Sequence, residues 1–109
     1  MAYDEGLAHR IREIVSDQPG LVEKKMFGGV GFMLHGNMAC GVNRENLIVR
    51  VGPEKYEAAL AKPNASVFDI TGRPMTGWVT VEPDGYESDE ALKAWVQQGI
   101  DFALSLPPK

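Results

Sequence analysis

The sequence predicts an α+β domain, a central antiparallel sheet with helices packed on one face. Two observations define the layers. Apolar residues recur at helical spacing near both ends, as Leu7, Ile11, Ile14 and Val15 and again as Leu92, Trp95, Val96, Gly99, Phe102, Ala103 and Leu106. Between Glu23 and Val51 the period falls to two, and Gly28-Gly29, Gly36-Asn37 and Asn43-Arg44-Glu45 punctuate it at strand spacing. The third observation is length: 109 residues hold one core, so residues 1–109 form a single domain.

Each element has a local reason. Asp4 caps a helix beginning at Glu5, its carboxylate accepting from unpaired first-turn amides. Gln18-Pro19-Gly20 ends that helix, because proline lacks an amide and glycine accepts positive φ. Strands are expected over Val22–Phe27, Gly31–Leu34, Met38–Val42 and Asn46–Val51. A two-residue turn in His35-Gly36-Asn37-Met38 sets His35 opposite Met38, and Met33 opposite Cys40. The last of these strands puts Leu47, Val49 and Val51 on one face and Ile48 and Arg50 on the other. Pro53 and Glu54 open a helix that Lys62-Pro63-Asn64 closes. Ser66–Asp69 and Gly77–Val81 are strands, and Pro83-Asp84-Gly85 turns the chain. Ser88 caps the final helix, with Asp89 and Glu90 in its first turn and Pro107-Pro108 at its end.

Charge bears on the class of partner. Eleven Lys and Arg stand against fifteen Asp and Glu, a net charge of −4. Between Glu82 and Asp101 the acids Asp84, Glu87, Asp89 and Glu90 accompany a single base, Lys93. Affinity for DNA comes from several clustered cations, so direct DNA binding is disfavoured unless the fold gathers Lys24, Lys25, Arg50 and Arg73. A lone cysteine allows no internal disulfide and fits a reducing compartment. No apolar run has membrane-spanning length and the N-terminus is acidic, unlike a signal peptide, so a cytoplasmic location without membrane attachment is expected.

Catalytic and metal chemistry find little support. His35 and Cys40 share a strand pair only diagonally, and zinc would need further ligands. Cys40 has no neighbouring base or cation to activate it and reads as a small core residue. Glu54 with Glu57, and Asp89 with Glu90, sit at helix starts whose dipoles explain them. No enzyme activity, metal or cofactor is expected.

Two segments stand out. Lys25-Met26-Phe27-Gly28-Gly29-Val30-Gly31-Phe32-Met33 is glycine-rich, but phosphate cradles open into a helix and these glycines lie between strands. A tight connection or bulge needing positive φ is the reading that fits. In Arg73-Pro74-Met75-Thr76-Gly77-Trp78, arginine beside a proline-fixed loop and an aromatic could dock a peptide or an anion; the favoured alternative has Trp78 filling the core under the last helix.

These segments, with Leu47-Ile48-Val49-Arg50-Val51 between them, resemble the N-terminal domain of the TfoX/Sxy family of bacterial competence regulators. The resemblance runs from the first helix to the last. It implies a two-layer fold of the secretion chaperone-like kind and no catalytic residues. Its motif positions here are Lys25, Phe27, Gly28, Gly29, Gly31, Arg50, Arg73, Met75 and Trp78. The name-giving members carry a further C-terminal domain and activate DNA-uptake genes with the cyclic-AMP receptor protein; this chain is expected to stand alone.

The expectation is therefore a protein-interaction module, acting as a competence or transcription co-regulator through another protein. Its surface is expected at the loops around Phe27–Gly31 and Arg73–Trp78. A sheet with helices on one side also leaves the other open to such a partner, or to a second copy in a homodimer. A direct nucleic-acid binder and a small-molecule or enzymatic role in a hidden pocket are the alternatives.

Overall fold

The computed structural model describes residues 3–26, 29–69, 72 and 74–108. Helix α1 (Glu5–Val15) starts where Asp4 accepts from the Leu7 amide at 3.1 Å, and its buried stripe is Leu7, Ala8, Ile11 and Val15. Strands β1 (Leu21–Met26), β2 (Gly29–Leu34), β3 (Asn37–Asn43) and β4 (Asn46–Arg50) form the expected meander. Helix α2 (Tyr56–Leu60) leads to β5 (Ala65–Asp69) and β6 (Pro74–Val81). A helical turn, α3 (Pro83–Tyr86), precedes α4 (Asp89–Ser105), where Ser88 Oγ accepts from the Ala91 amide. None of the described helices is long and apolar enough to cross a membrane.

The six strands pair antiparallel in the order β1-β2-β3-β4-β6-β5. Two rows of side chains cross the sheet toward the helices. One runs Lys25, Val30, Val42, Leu47, Val81, Ala65; the other runs Glu23, Phe32, Cys40, Val49, Val79, Val67. The four central members of each row are buried with Leu92, Trp95, Val96, Ile100 and Ala103 of α4 in one cluster. Burying each larger side chain contributes about 1.5–3 kcal/mol. Helix α4 lies across β3 and β4, α1 against α4 and β3, and α2 against β5 and β6.

The structure corrects several expectations. The β2–β3 turn is His35-Gly36, with φ of 52° and 86°, the positive pair a type I′ hairpin needs. Leu34 therefore faces Asn37 and Met33 faces Met38, and a bulge then sets Phe32 opposite Cys40. The helix expected from Pro53 begins only at Tyr56, with no side-chain cap at Lys55, and Pro83-Asp84-Gly85 is a helical turn. Trp78 is outside the core beneath α4: it is half-buried in β6, on the same side of the sheet as Arg50.

Candidate functional site

Register places three of the motif positions, Gly31, Arg50 and Trp78, on the sheet face away from the helices. One row across it runs Lys24, Gly31, Gly41, Ile48, Thr80, Ser66, from edge to edge. The glycines at its centre are buried, and the Met38 side chain comes so near Gly41 that a Cβ there would meet its Cε at 2.7 Å. Ile48 beside them is 3% exposed. The next row holds Arg50 directly opposite Trp78.

Arg50 starts from this face, and its guanidinium packs at the end of β4, between a ring of the sheet and a ring of α4. Its guanidinium carbon is 5.1 Å from the Trp78 ring centroid and 5.2 Å from that of Phe102 in α4. The Trp78 ring in turn is 6.0 Å from Phe68 of β5, tilted by 35°. Each cation–aromatic contact is worth about 0.5–1 kcal/mol when exposed and more when desolvated. Among the described residues Arg50 has no carboxylate partner and its guanidinium donates no hydrogen bond. The fork is oriented by rings while its donors stay available.

Beside this cluster lies a cleft of ≈ 410 Å³ lined by Arg44, Asn46, Ile48, Phe68, Asp69 and Thr80, among others. Its lining is mostly polar, with amide, hydroxyl and charged groups, and its one partly exposed aromatic is the half-buried Phe68; Ile48 beneath is buried. One oxygen of Asp69 is occupied by the Gly72 amide. A second concavity of ≈ 320 Å³ lies between Pro53, Lys55, Gln98, Asp101 and Phe102.

The remaining candidates are dispersed. Lys25 is exposed opposite Val30, so its register places it on the helix side of edge strand β1. Lys24 is on the open face, but β1 is three strands from β4, about 14 Å at the usual spacing. Met75 is half-buried in β6. Phe27, Gly28 and Arg73 lie outside the described residues. Gly29 is a glycine because a Cβ would overlap the Val42 carbonyl oxygen. It opens a strand, not a helix, which removes it from the geometry of a phosphate cradle.

Cys40 is fully buried, and burial pushes its thiol up to about 12, which suppresses the thiolate a nucleophile or ligand needs. His35 is at the exposed turn, its ring against Gly20, away from Cys40 in the core. No group of three His, Cys, Asp or Glu side chains converges on a metal site among the described residues. Sequence periodicity did place Ile48 with Arg50. It missed Phe68, Thr80 and Phe102, of which the alternation along β5 and β6 signals the first two.

The family model described as the TfoX N-terminal domain matches residues 13–103, from within α1 to the Ala103 turn of α4. A search among curated proteins finds no match.

Proposed function

The chain belongs to the TfoX N-terminal domain family, and from that premise we propose that it is a protein-interaction module whose recognition surface is the open sheet face. It acts in the cytoplasm as a competence or transcription co-regulator, through another protein and not through DNA, on a secretion chaperone-like two-layer scaffold. The observation that carries this reading is the Arg50–Trp78–Phe68 cluster beside the Ile48 cleft. Arginine and tryptophan are the residues around which interface energy concentrates, and the half-buried rings of Trp78 and Phe68 gain from being covered. The charge distribution agrees: a net −4 with Lys24 and Arg50 about 14 Å apart is a poor match to a phosphate backbone.

A photo-reactive amino acid at Thr80, compared with one at exposed Gln97 on α4, tests the surface. Protein adducts in a bacterial lysate from the Thr80 position alone are expected. Equal adducts from both positions, or none, would reject the open face as the recognition surface.

A further inference from the structure

We infer that the open sheet face takes an acidic, apolar-flanked extended segment of its protein partner, with a carboxylate on Arg50 and an apolar side chain against the half-buried Phe68. This deepens the interaction reading above and rests on it. The first ground is charge asymmetry. The molecule is acidic overall, and its helices and their caps carry Asp4, Glu5, Glu13, Glu57, Asp84, Asp89, Glu90 and Asp101 against the bases Arg10, Arg12, Lys55 and Lys93, an excess of acid. On the opposite side the register places Lys24 and Arg50, and Arg44 lines the cleft. The cleft's one carboxylate among the described residues is Asp69, already accepting from the Gly72 amide. A like-charged partner would be repelled by the helix side and favoured only here.

The second ground is the state of Arg50. A planar fork held by Trp78 at 5.1 Å and Phe102 at 5.2 Å has its orientation set before binding, so little freedom is lost when a carboxylate takes its donors. Lysine could not use both rings and a bidentate acceptor in this way. The third ground is spacing. Ile48, at the cleft, and Arg50 are alternate residues of β4, so residues i and i+2 of an extended segment, which share a face, reach the cleft and the guanidinium together.

The probe is a short fluorescein-labelled peptide repeating Asp-Ser-Leu-Ser, whose acids and leucines share one face of the extended chain, with its Lys-Ser-Leu-Ser counterpart and a labelled single-stranded oligonucleotide as comparisons. Anisotropy titrations at about 0.02 and 0.15 M salt measure each. The acidic peptide is expected to bind about tenfold more tightly than the basic one, and more weakly at the higher salt. Arg50→Gln should weaken it about tenfold and Lys93→Gln, on exposed α4, should leave it unchanged. Because Arg50→Gln also loosens a packing contact, Thr80→Glu supplies a second variant: it keeps Arg50, adds a like charge to the ligand's path, and should weaken binding at least as much. Equal binding of both peptides, insensitivity to Thr80→Glu, or preference for the oligonucleotide would overturn the inference. Were that to happen while Thr80 cross-links to protein persist, the interaction reading stands and only the ligand chemistry falls.

Discussion

The Arg50 guanidinium stacks over Trp78 at 5.1 Å, and the two residues are direct partners across β4 and β6. The ladder thus fixes the cation against the ring before any tertiary packing adjusts it. Phe102 then closes over the same cation from α4, at 5.2 Å. A double-mutant cycle with Arg50→Met and Trp78→Leu should give a coupling of about 0.5–1 kcal/mol in urea unfolding. A coupling indistinguishable from zero would mean the stack is incidental.

Gly99 gives the sharpest steric prediction. An added Cβ would overlap the carbonyl oxygen of Ala39 and stand 3.4 Å from Val49 Cγ1, so α4 meets β3 backbone to helix. Helix propensity alone would make Gly99→Ala stabilising by about 1 kcal/mol. The overlap is with backbone, which cannot rotate away, and should reverse that sign to a net loss of about 2 kcal/mol or more. Gln97→Ala, on the exposed side of the same helix, is the control. Both are read from urea midpoints, and a stabilised Gly99→Ala would disprove the close approach.

What sequence reveals here is what local chemistry decides. Asp4 and Ser88 cap their helices as their side chains dictate, and Leu47, Val49 and Ile48 take the faces that alternation assigns. The β2–β3 turn lies one residue earlier than periodicity predicts, which moves the partner of Met33 from Cys40 to Met38, and the placement of Asn37 accompanies that choice. In the fold Asn37 is buried and its amide donates to Pro107, seventy positions away in the chain. Trp78 was misplaced for a related reason. Its side of the sheet follows from pairing with Arg50, and Phe102 joins that cluster only through the packing of α4. Half of the candidate surface is therefore contributed by elements that periodicity cannot bring together.

Asn37 yields a prediction with a defined pH sign. Its Nδ2 donates to the Pro107 carbonyl at 2.9 Å, tying the end of the chain to the start of β3. Asn37→Ala leaves that tie unmade and should cost about 1–3 kcal/mol. Asn37→Asp places a carboxyl where a donor is required. The protonated form can still donate, so the folded pKa rises above the unfolded value. Its stability should match the parent most closely below pH ~4 and fall as pH rises through the folded pKa. A pH-independent deficit would reject this role for the amide.

Arg12 and Glu23 reverse that sign. Arg12 Nε and Nη2 donate to the two carboxylate oxygens at 2.6 and 2.7 Å, joining α1 to edge strand β1. The hydrogen bond to Arg12 holds the Glu23 carboxyl below its usual range, and burial opposes the shift. A depressed folded pKa contributes stability that is present above the unfolded value, near pH ~4.3, and is lost as pH falls through the folded one. Both side chains are partly solvated, at 41% and 31%, so screening limits the pair to about 0.5–1 kcal/mol. Arg12→Gln should lose that amount at pH ~7, and the difference should vanish at pH ~2 and shrink in 1 M salt, at which the Debye length is ~3 Å. Urea midpoints across pH measure it.

Cys40 tests the interior directly. It stands in the second core row, between Phe32 and Val49, with no exposed surface, and its thiol is pushed up to about 12 by burial. Two barriers therefore protect it: the reagent must reach the sulfur, and the sulfur must lose its proton in an apolar setting. Native protein at pH ~8 should leave a disulfide-exchange chromophore unreacted over hours, whereas urea-unfolded protein, with a thiol near pH ~8.5, should react at once. Intermediate urea adds a quantitative check. If modification requires global unfolding, its rate must track the unfolded fraction measured independently by fluorescence. Modification faster than that fraction allows would place the opening in the sheet itself, between β2 and β4, and would contradict a core built as one cluster.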